Sequence, residues 1–315
     1  MEIVILDGAT VTAGDIDFSP LRQLGRVIVY DFTANEEIVP RLADKDFVII
    51  NKVVFDKQTL SKLPKLKYIG LFATGYNNID IAAAKAQGIT VCNAGSYSTD
   101  AVAQHTFGFI LNEYSRVEQY SRFVMDGGWT KSAVFSPVVF PTDEIAGKTL
   151  GIIGYGSIGK RVAEIAKAFG MKVIVHTRTV REDGHTAFVS LDELLGSSDI
   201  ISLHCPLTNE NKGMFNAELF AKCKKGANFI NTARGGLVDE QALFDALESG
   251  QLSGAALDVI ENEPMKKDCV LLKAKNITIT PHSAWTPTAT RQRVVDIAAQ
   301  NLKGFLSGNK QNVIV

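Results

Sequence analysis

Gly154-Tyr155-Gly156-Ser157-Ile158-Gly159 constrains this chain more than any other stretch. The pattern G-x-G-x-x-G is weak by itself, and its context gives it force. It follows the apolar run 149–153 and opens a helical pattern, 157–169, that closes at Gly170. Ile158, Val162, Ile165 and Phe169 recur there at helical spacing. In a strand–turn–helix unit the first glycine permits the tight turn, the second lets the backbone approach a pyrophosphate, and the third lets helix and strand pack closely. The helix start then offers N–H groups and the positive end of its dipole to phosphate. Gly154, Gly156, Ser157, Ile158 and Gly159 therefore form an expected dinucleotide site.

The kind of dinucleotide is read at the end of the next strand, 172–176. A site for NAD usually has Asp or Glu there to accept the ribose 2′-OH. This chain has Thr177, Arg178 and Thr179 instead. Arg178 can pair with a 2′-phosphate, so the sequence favours NADP over NAD.

Around this unit the chain reads as α/β. Nearly continuous apolar runs at 2–6, 26–30, 47–51, 68–72 and 90–92 suit parallel strands buried on both faces. Helix-compatible segments separate them; one, 79–87, ends at Gly88. A single long helix is expected over 99–125, followed by a loop with Gly127, Gly128, Pro137 and Pro141. Strands then resume at 149–153, 172–176, 200–204, 228–231, 254–257 and 277–280. Ser190 with Glu193 reads as a capping box, and a last helix is expected over 288–307. With 315 residues two domains are expected. The expected class is α/β with two doubly wound parallel-sheet domains: a Rossmann dinucleotide-binding domain, 99–286, inserted into a flavodoxin-like substrate domain, 1–98 plus 287–315.

A formal net charge of -1 gives no electrostatic reason to expect nucleic acid or an anionic membrane as partner. The N-terminus MEIVILDGAT lacks the pattern of a signal peptide, and no apolar stretch is long enough to span a bilayer. Cys92, Cys205, Cys223 and Cys269 match no zinc spacing. They read as reduced thiols of a cytoplasmic protein, with no metal site.

Reduction of a keto acid needs a cation for the carboxylate, a proton donor for the carbonyl oxygen and a group that tunes the donor. Arg suits the first, because its guanidinium is planar and always charged. His suits the second, because it titrates near neutrality. A carboxylate beside the His suits the third. Of His105, His176, His185, His204 and His282, His282 follows a strand in P-H-S-A-W. Strand ends are where doubly wound sheets place their sites. Arg234, in N-T-A-R-G-G, also follows a strand, and Glu263 lies in E-N-E-P. From position alone a capping or core histidine is the default reading for His282, and surface charges are the default for Arg234 and Glu263.

Seven motifs in order, A-T-G-Y-N-N-I-D (73–80), S-T-D-A-V-A-Q-H-T (98–106), the glycine loop, H-C-P-L (204–207), N-T-A-R-G-G-L-V-D (231–239), A-L-D-V-I-E-N-E-P (256–264) and T-P-H-S-A-W (280–285), span most of the chain. On these the sequence resembles the D-isomer-specific 2-hydroxyacid dehydrogenase family. The resemblance implies that Arg234 binds the substrate carboxylate and keto oxygen, that His282 protonates the carbonyl, and that Glu263 is the His partner. It implies that Asp258 meets the nicotinamide carboxamide and that Thr106 lies in the cofactor cleft. Cys205 and Pro206, beside His204, would lie on the adenosine side, and Thr232 and Ala233 on the nicotinamide side. Ala73, Thr74 and Gly75 would hold the substrate carboxylate by their backbone, and Trp285 would shape the substrate pocket.

H-S-A-W is similar to the glycerate dehydrogenase, or hydroxypyruvate and glyoxylate reductase, branch, so hydroxypyruvate or glyoxylate is the expected substrate. Glu263 stands where a formate dehydrogenase carries Gln. A phosphoglycerate dehydrogenase-like or D-lactate-type enzyme is an alternative. So is a dinucleotide-sensing binding module like the family's corepressors, although the residues for catalysis are present. An adenosylhomocysteinase-like hydrolase fits the Arg, Glu and His set poorly. The resemblance also implies a homodimer, through the helix at 100–125 and the loop after it.

Overall fold

The structure is a computed structural model that describes residues 1–180 and 186–315. The chain divides into two compact units, one of Met1–Ser98 with Trp285–Val315, the other of Thr99–Ala284. The second crossing falls before Trp285 rather than at 287. Trp285 packs its ring edge-on against Tyr97, with centroids 6.4 Å apart, beside the first unit's core.

In the first unit five strands, β1 (Glu2–Ile5), β2 (Arg26–Val29), β3 (Phe47–Ile50), β4 (Tyr68–Leu71) and β5 (Thr90–Cys92), form one parallel sheet in the order β2-β1-β3-β4-β5. This is the flavodoxin-like order. Helices α1 (Ser19–Arg22), α2 (Asn35–Leu42), α3 (Lys57–Ser61) and α4 (Ile81–Ala86) connect or flank the strands. Strands β1, β3 and β4 are almost wholly buried because cores lie on both sheet faces. That explains their unbroken apolar runs, where a one-sided sheet would alternate. Near the C-terminus, Ile314 N–H donates to Val91 O at 2.8 Å and Val91 N–H to Val315 O at 2.9 Å. This antiparallel segment covers the β5 edge.

The second unit begins with α5 (Thr99–Ser115) and α6 (Val117–Met125). The single helix expected over 99–125 is thus two helices. Arg116 between them is left-handed, with φ 50°. Its guanidinium donates to Pro141 O at 2.8 Å, Glu113 Oε1 at 3.1 Å and Gln119 Oε1 at 3.3 Å. The break is imposed by these contacts, since arginine is itself a good helix former.

Seven parallel strands follow: β6 (Thr149–Ile153), β7 (Lys172–His176), β8 (Ala187–Phe188), β9 (Ile200–Leu203), β10 (Ala227–Asn231), β11 (Leu252–Leu257) and β12 (Ile277–Ile279). Their order is β12-β11-β10-β9-β6-β7-β8. Numbered within the unit this is the doubly wound dinucleotide-binding order, in which the winding reverses between β6 and β9. The two-residue β8 has no counterpart in the sequence expectation. Helices α7 (Ser157–Ala168), α8 (Leu191–Ser197), α9 (Ala217–Ala221) and α10 (Glu240–Glu248) cover the two faces over separate cores. Ser190 caps α8, accepting from Glu193 N–H at 3.2 Å. Helix α11 (Thr288–Leu306) belongs to the first unit, where Val294, Val295 and Leu302 are fully buried. Among the described residues no helix is long and apolar enough to cross a membrane.

Candidate active site

Three features gather at the carboxyl ends of the second unit's strands. The first is the glycine turn after β6. Gly154 has φ 97°, and a Cβ there would lie 2.6 Å from Cys205 N. A Cβ on Gly159 would collide with Gly154 O, so only glycine lets α7 pack this close to the turn. At Gly156 a Cβ would meet nothing within 4 Å. That open place lies at the start of a twelve-residue helix, whose free N–H groups and dipole favour an anion.

The turn opens on a cleft of about 840 Å³. Gly154, Gly156, Ser157, Thr177, Arg178, His204, Cys205 and Pro206 line it. Ile158 packs instead against the core beneath, and Gly159 is buried. The cleft also has walls that sequence reasoning missed, notably Lys160, Glu210 and Asn211. Lys160, one position past the motif, could have been found there as a second cation beside Arg178. Asn211 is a loop brace: it accepts from Thr208 N–H at 2.7 Å and donates to Pro206 O at 2.9 Å.

Glu210 matters for charge. Its carboxyl is held below the usual range, first by a hydrogen bond with Thr208 and, more weakly, by attraction to Arg178. An anion held by Arg178 therefore shares that cation with Glu210. His204 adds no cation. Burial pushes its imidazole down to about 3, and Nε2 pairs with Ser202 Oγ at 2.9 Å. Part of its surface still faces the cleft.

The second feature is the pair Glu263 and His282. His282 Nδ1 lies 2.7 Å from Glu263 Oε2, and Ile260 N–H donates to Glu263 Oε1 at 3.3 Å. With Nδ1–H committed to the carboxylate, Nε2 is left to carry a transferable proton. His282 has φ 53°, a left-handed backbone rare for a side-chain-bearing residue. Such strain persists only where neighbours impose it. Asp258, 1% exposed, does so. Its carbonyl accepts His282 N–H at 2.8 Å, and its carboxylate accepts Ser283 N–H at 2.7 Å and Ala284 N–H at 2.9 Å.

The third feature is Arg234 after β10. Asn231 shapes its loop, accepting from Ala233 N–H at 3.0 Å and donating to Arg234 O at 2.9 Å. The Arg234 guanidinium donates to Ala233 O at 2.7 Å. Among the described residues no carboxylate lies within salt-bridge distance of it. Arg234, Glu263 and His282 follow the adjacent strands β10, β11 and β12.

Thr106 is fully buried. Its hydroxyl donates to Val102 O at 2.9 Å and lies 3.2 Å from Thr232 Oγ1, so it stands behind Thr232. In the first unit the carbonyls of Ala73 and Thr74 are taken by Ala94 N–H and the Asn93 amide, at 2.8 and 2.7 Å. No hydrogen bond among the described residues takes the N–H groups of Thr74 and Gly75. Trp285 belongs to this unit and is half-buried beside Tyr97.

Comparison with known proteins agrees with this geometry. Residues 107–284 match the family described as D-isomer specific 2-hydroxyacid dehydrogenase, NAD binding domain. A hydroxypyruvate reductase from Blautia hydrogenotrophica is 42% identical over 320 residues, covering 100% of this chain and 99% of that protein. A glycerate dehydrogenase from Methylorubrum extorquens is 44% identical over 281 residues, covering 89% of this chain and 88% of that protein. An acyclic imino acid reductase solved with NADPH and D-arginine superposes with a TM-score of 0.89 at 32% identity, covering 100% of both chains. The chain therefore belongs to the D-isomer specific 2-hydroxyacid dehydrogenases, nicotinamide-dependent oxidoreductases that interconvert a 2-keto acid and a D-2-hydroxy acid.

Proposed function

We propose that this enzyme reduces hydroxypyruvate or glyoxylate, prefers NADPH, and uses Arg234, Glu263 and His282 for the chemistry. The observation that carries the reading is the placement, after three adjacent strands, of an imidazole held by a carboxylate and an arginine that has no acidic partner among the described residues. Hydroxypyruvate reductase and glycerate dehydrogenase are the names of the similar proteins, and they supply the substrate class.

Bound along the glycine turn and cleft, the dinucleotide supplies the hydride. Arg234 binds the substrate carboxylate and keto oxygen through its planar fork of donors. The N–H groups at Ala73–Gly75 would be further donors to the carboxylate. As charge develops on the carbonyl oxygen, His282 gives up the proton from Nε2. Glu263 holds Nδ1–H and so fixes the ring with Nε2 as the atom that transfers the proton. Asp258, Thr232 and Ala233 face the nicotinamide side, and Trp285 bounds the substrate.

The preference for NADPH rests on Thr177, Arg178 and Thr179, the three positions just past β7, none of which is an acid. Lys160 adds positive charge to the same cleft.

The reading includes a cytoplasmic homodimer. Helix α6 buries none of its residues, and the segment after it leaves Phe135 90% and Val138 91% exposed. A second copy covering this arm removes that apolar surface from water.

The test is loss of nicotinamide absorbance with purified enzyme under NADPH or NADH, each with hydroxypyruvate or glyoxylate. Faster oxidation of NADPH supports the whole reading. Preference for NADH keeps the enzyme class and discards the role given to Arg178. No oxidation in any of the four conditions removes the proposed substrates.

A further inference from the structure

Among the described residues of the second unit two histidines lie beside carboxylates, and the mechanism above uses one. The other is His105 on α5, whose ring packs edge-on against Phe109 with centroids 4.6 Å apart. Its Nε2 lies 3.0 Å from Thr280 Oγ1 and 3.6 Å from Asp258 Oδ1. Thr280 Oγ1 lies 2.5 Å from the same Asp258 oxygen. That carboxylate clamps the backbone of Ser283 and Ala284, beside the left-handed His282.

Counting protons fixes the direction of the chain. A threonine hydroxyl has one proton. An oxygen contact this short with a buried carboxylate needs that proton between the two atoms. Thr280 Oγ1 is then left as acceptor, so His105 must carry its proton on Nε2 and donate it. Among the described residues His105 is also the one basic side chain within salt-bridge distance of Asp258. The line His105, Thr280, Asp258 and the 282–284 turn therefore runs from a helix to the proton donor.

We propose that His105 is a positioning residue for the reduction. Through Thr280 and Asp258 it fixes the turn that presents His282. This rests on the reading of His282 as proton donor.

The test compares steady-state NADPH oxidation in His105→Phe, His105→Gln, Thr280→Val and the double variant His105→Phe/Thr280→Val. Losing the donor to a half-buried acceptor should lower kcat in His105→Phe by about tenfold. KM for the keto acid should stay within about twofold, as for an interaction that matters in the transition state and little in substrate binding. Glutamine can place an amide N–H near Nε2, so His105→Gln should recover kcat to within about threefold of wild type. His105→Phe should cost little further on a Thr280→Val background, because both break one chain of contacts.

A folded His105→Phe with wild-type kcat overturns the proposal, as do equal losses in Phe and Gln variants or fully additive losses. If thermal melting shows that His105→Phe does not fold, Thr280→Val carries the test, and wild-type kcat there overturns it. His282→Asn separates the two readings. Turnover retained in His282→Asn removes the proton donor itself. Turnover lost there but unaffected in folded His105→Phe removes only the positioning role.

Discussion

Strands β1 and β6 occupy the same place in their two sheets, each beside the point where the winding reverses. The residues just past the two strands differ. After β1 stands Asp7, 3% exposed, whose carboxylate accepts the N–H groups of Asn51 at 2.9 Å, Lys52 at 2.5 Å and Val53 at 3.2 Å. After β6 stands Gly154, and at Gly156 the backbone faces open space. The first unit fills its reversal point with its own anion; the second leaves it for an anion from outside. A repeated architecture therefore does not repeat a binding site, because ligand binding depends on what occupies the reversal point.

Placing a carboxylate in the open site gives the largest expected effect. In Gly156→Asp the new charge meets the pyrophosphate, and NADPH affinity should fall on the order of 100-fold, by repulsion near a partly desolvated site. Aspartate is a good N-cap, so the variant should melt at or slightly above the wild-type temperature. Titration by NADPH fluorescence beside a thermal melt reads both. Unchanged affinity would erase the difference between the two reversal points.

The converse change is Asp7→Asn. An amide NH2 in place of one carboxylate oxygen points a donor at the N–H groups that this oxygen accepted, and the variant should lose about 2 kcal/mol in urea unfolding while NADPH affinity is retained. Burial raises the Asp7 carboxyl above its usual 3.8, outweighing the N–H groups of Lys52, Asn51 and Val53 that pull it down. The folded chain then holds this proton to higher pH than the unfolded chain. This contribution to stability is full below 3.8 and is lost as pH rises through the raised value. Asp7→Asn should remove that slope, and an unchanged slope would show that another group sets it.

Two smaller effects probe the open cleft. Arg178→Gln should raise KM for NADPH about tenfold and leave NADH little changed, as for loss of one charge-assisted contact to phosphate. Glu210→Gln should act the other way, with NADPH bound about twofold more tightly, because a screened surface carboxylate no longer competes for Arg178. Equal responses of both cofactors in both variants would place the 2′ position elsewhere.

Features held in local pattern were legible in the sequence. Apolar strand runs, the glycine turn and the Ser190 cap each arise within a few residues. Features that depended on distant partners were hidden. Arg116 breaks a helix only because Pro141 and Glu113 hold it. Asp7 looks like an ordinary turn residue until Asn51, Lys52 and Val53 arrive from β3. His105 and Thr280 meet across 175 positions. Glu263 and His282 sit 19 apart, a spacing with no periodic meaning, and only family resemblance pointed to that pair.

The proposed mechanism rests above all on Arg234, which has no acidic partner among the described residues, as the substrate anchor. Single-turnover NADPH oxidation by Arg234→Ala with hydroxypyruvate tests this directly, with NADPH binding measured on the same sample. Near-complete loss of turnover with cofactor binding retained is the expected result. Turnover near the wild-type rate would contradict the anchor role.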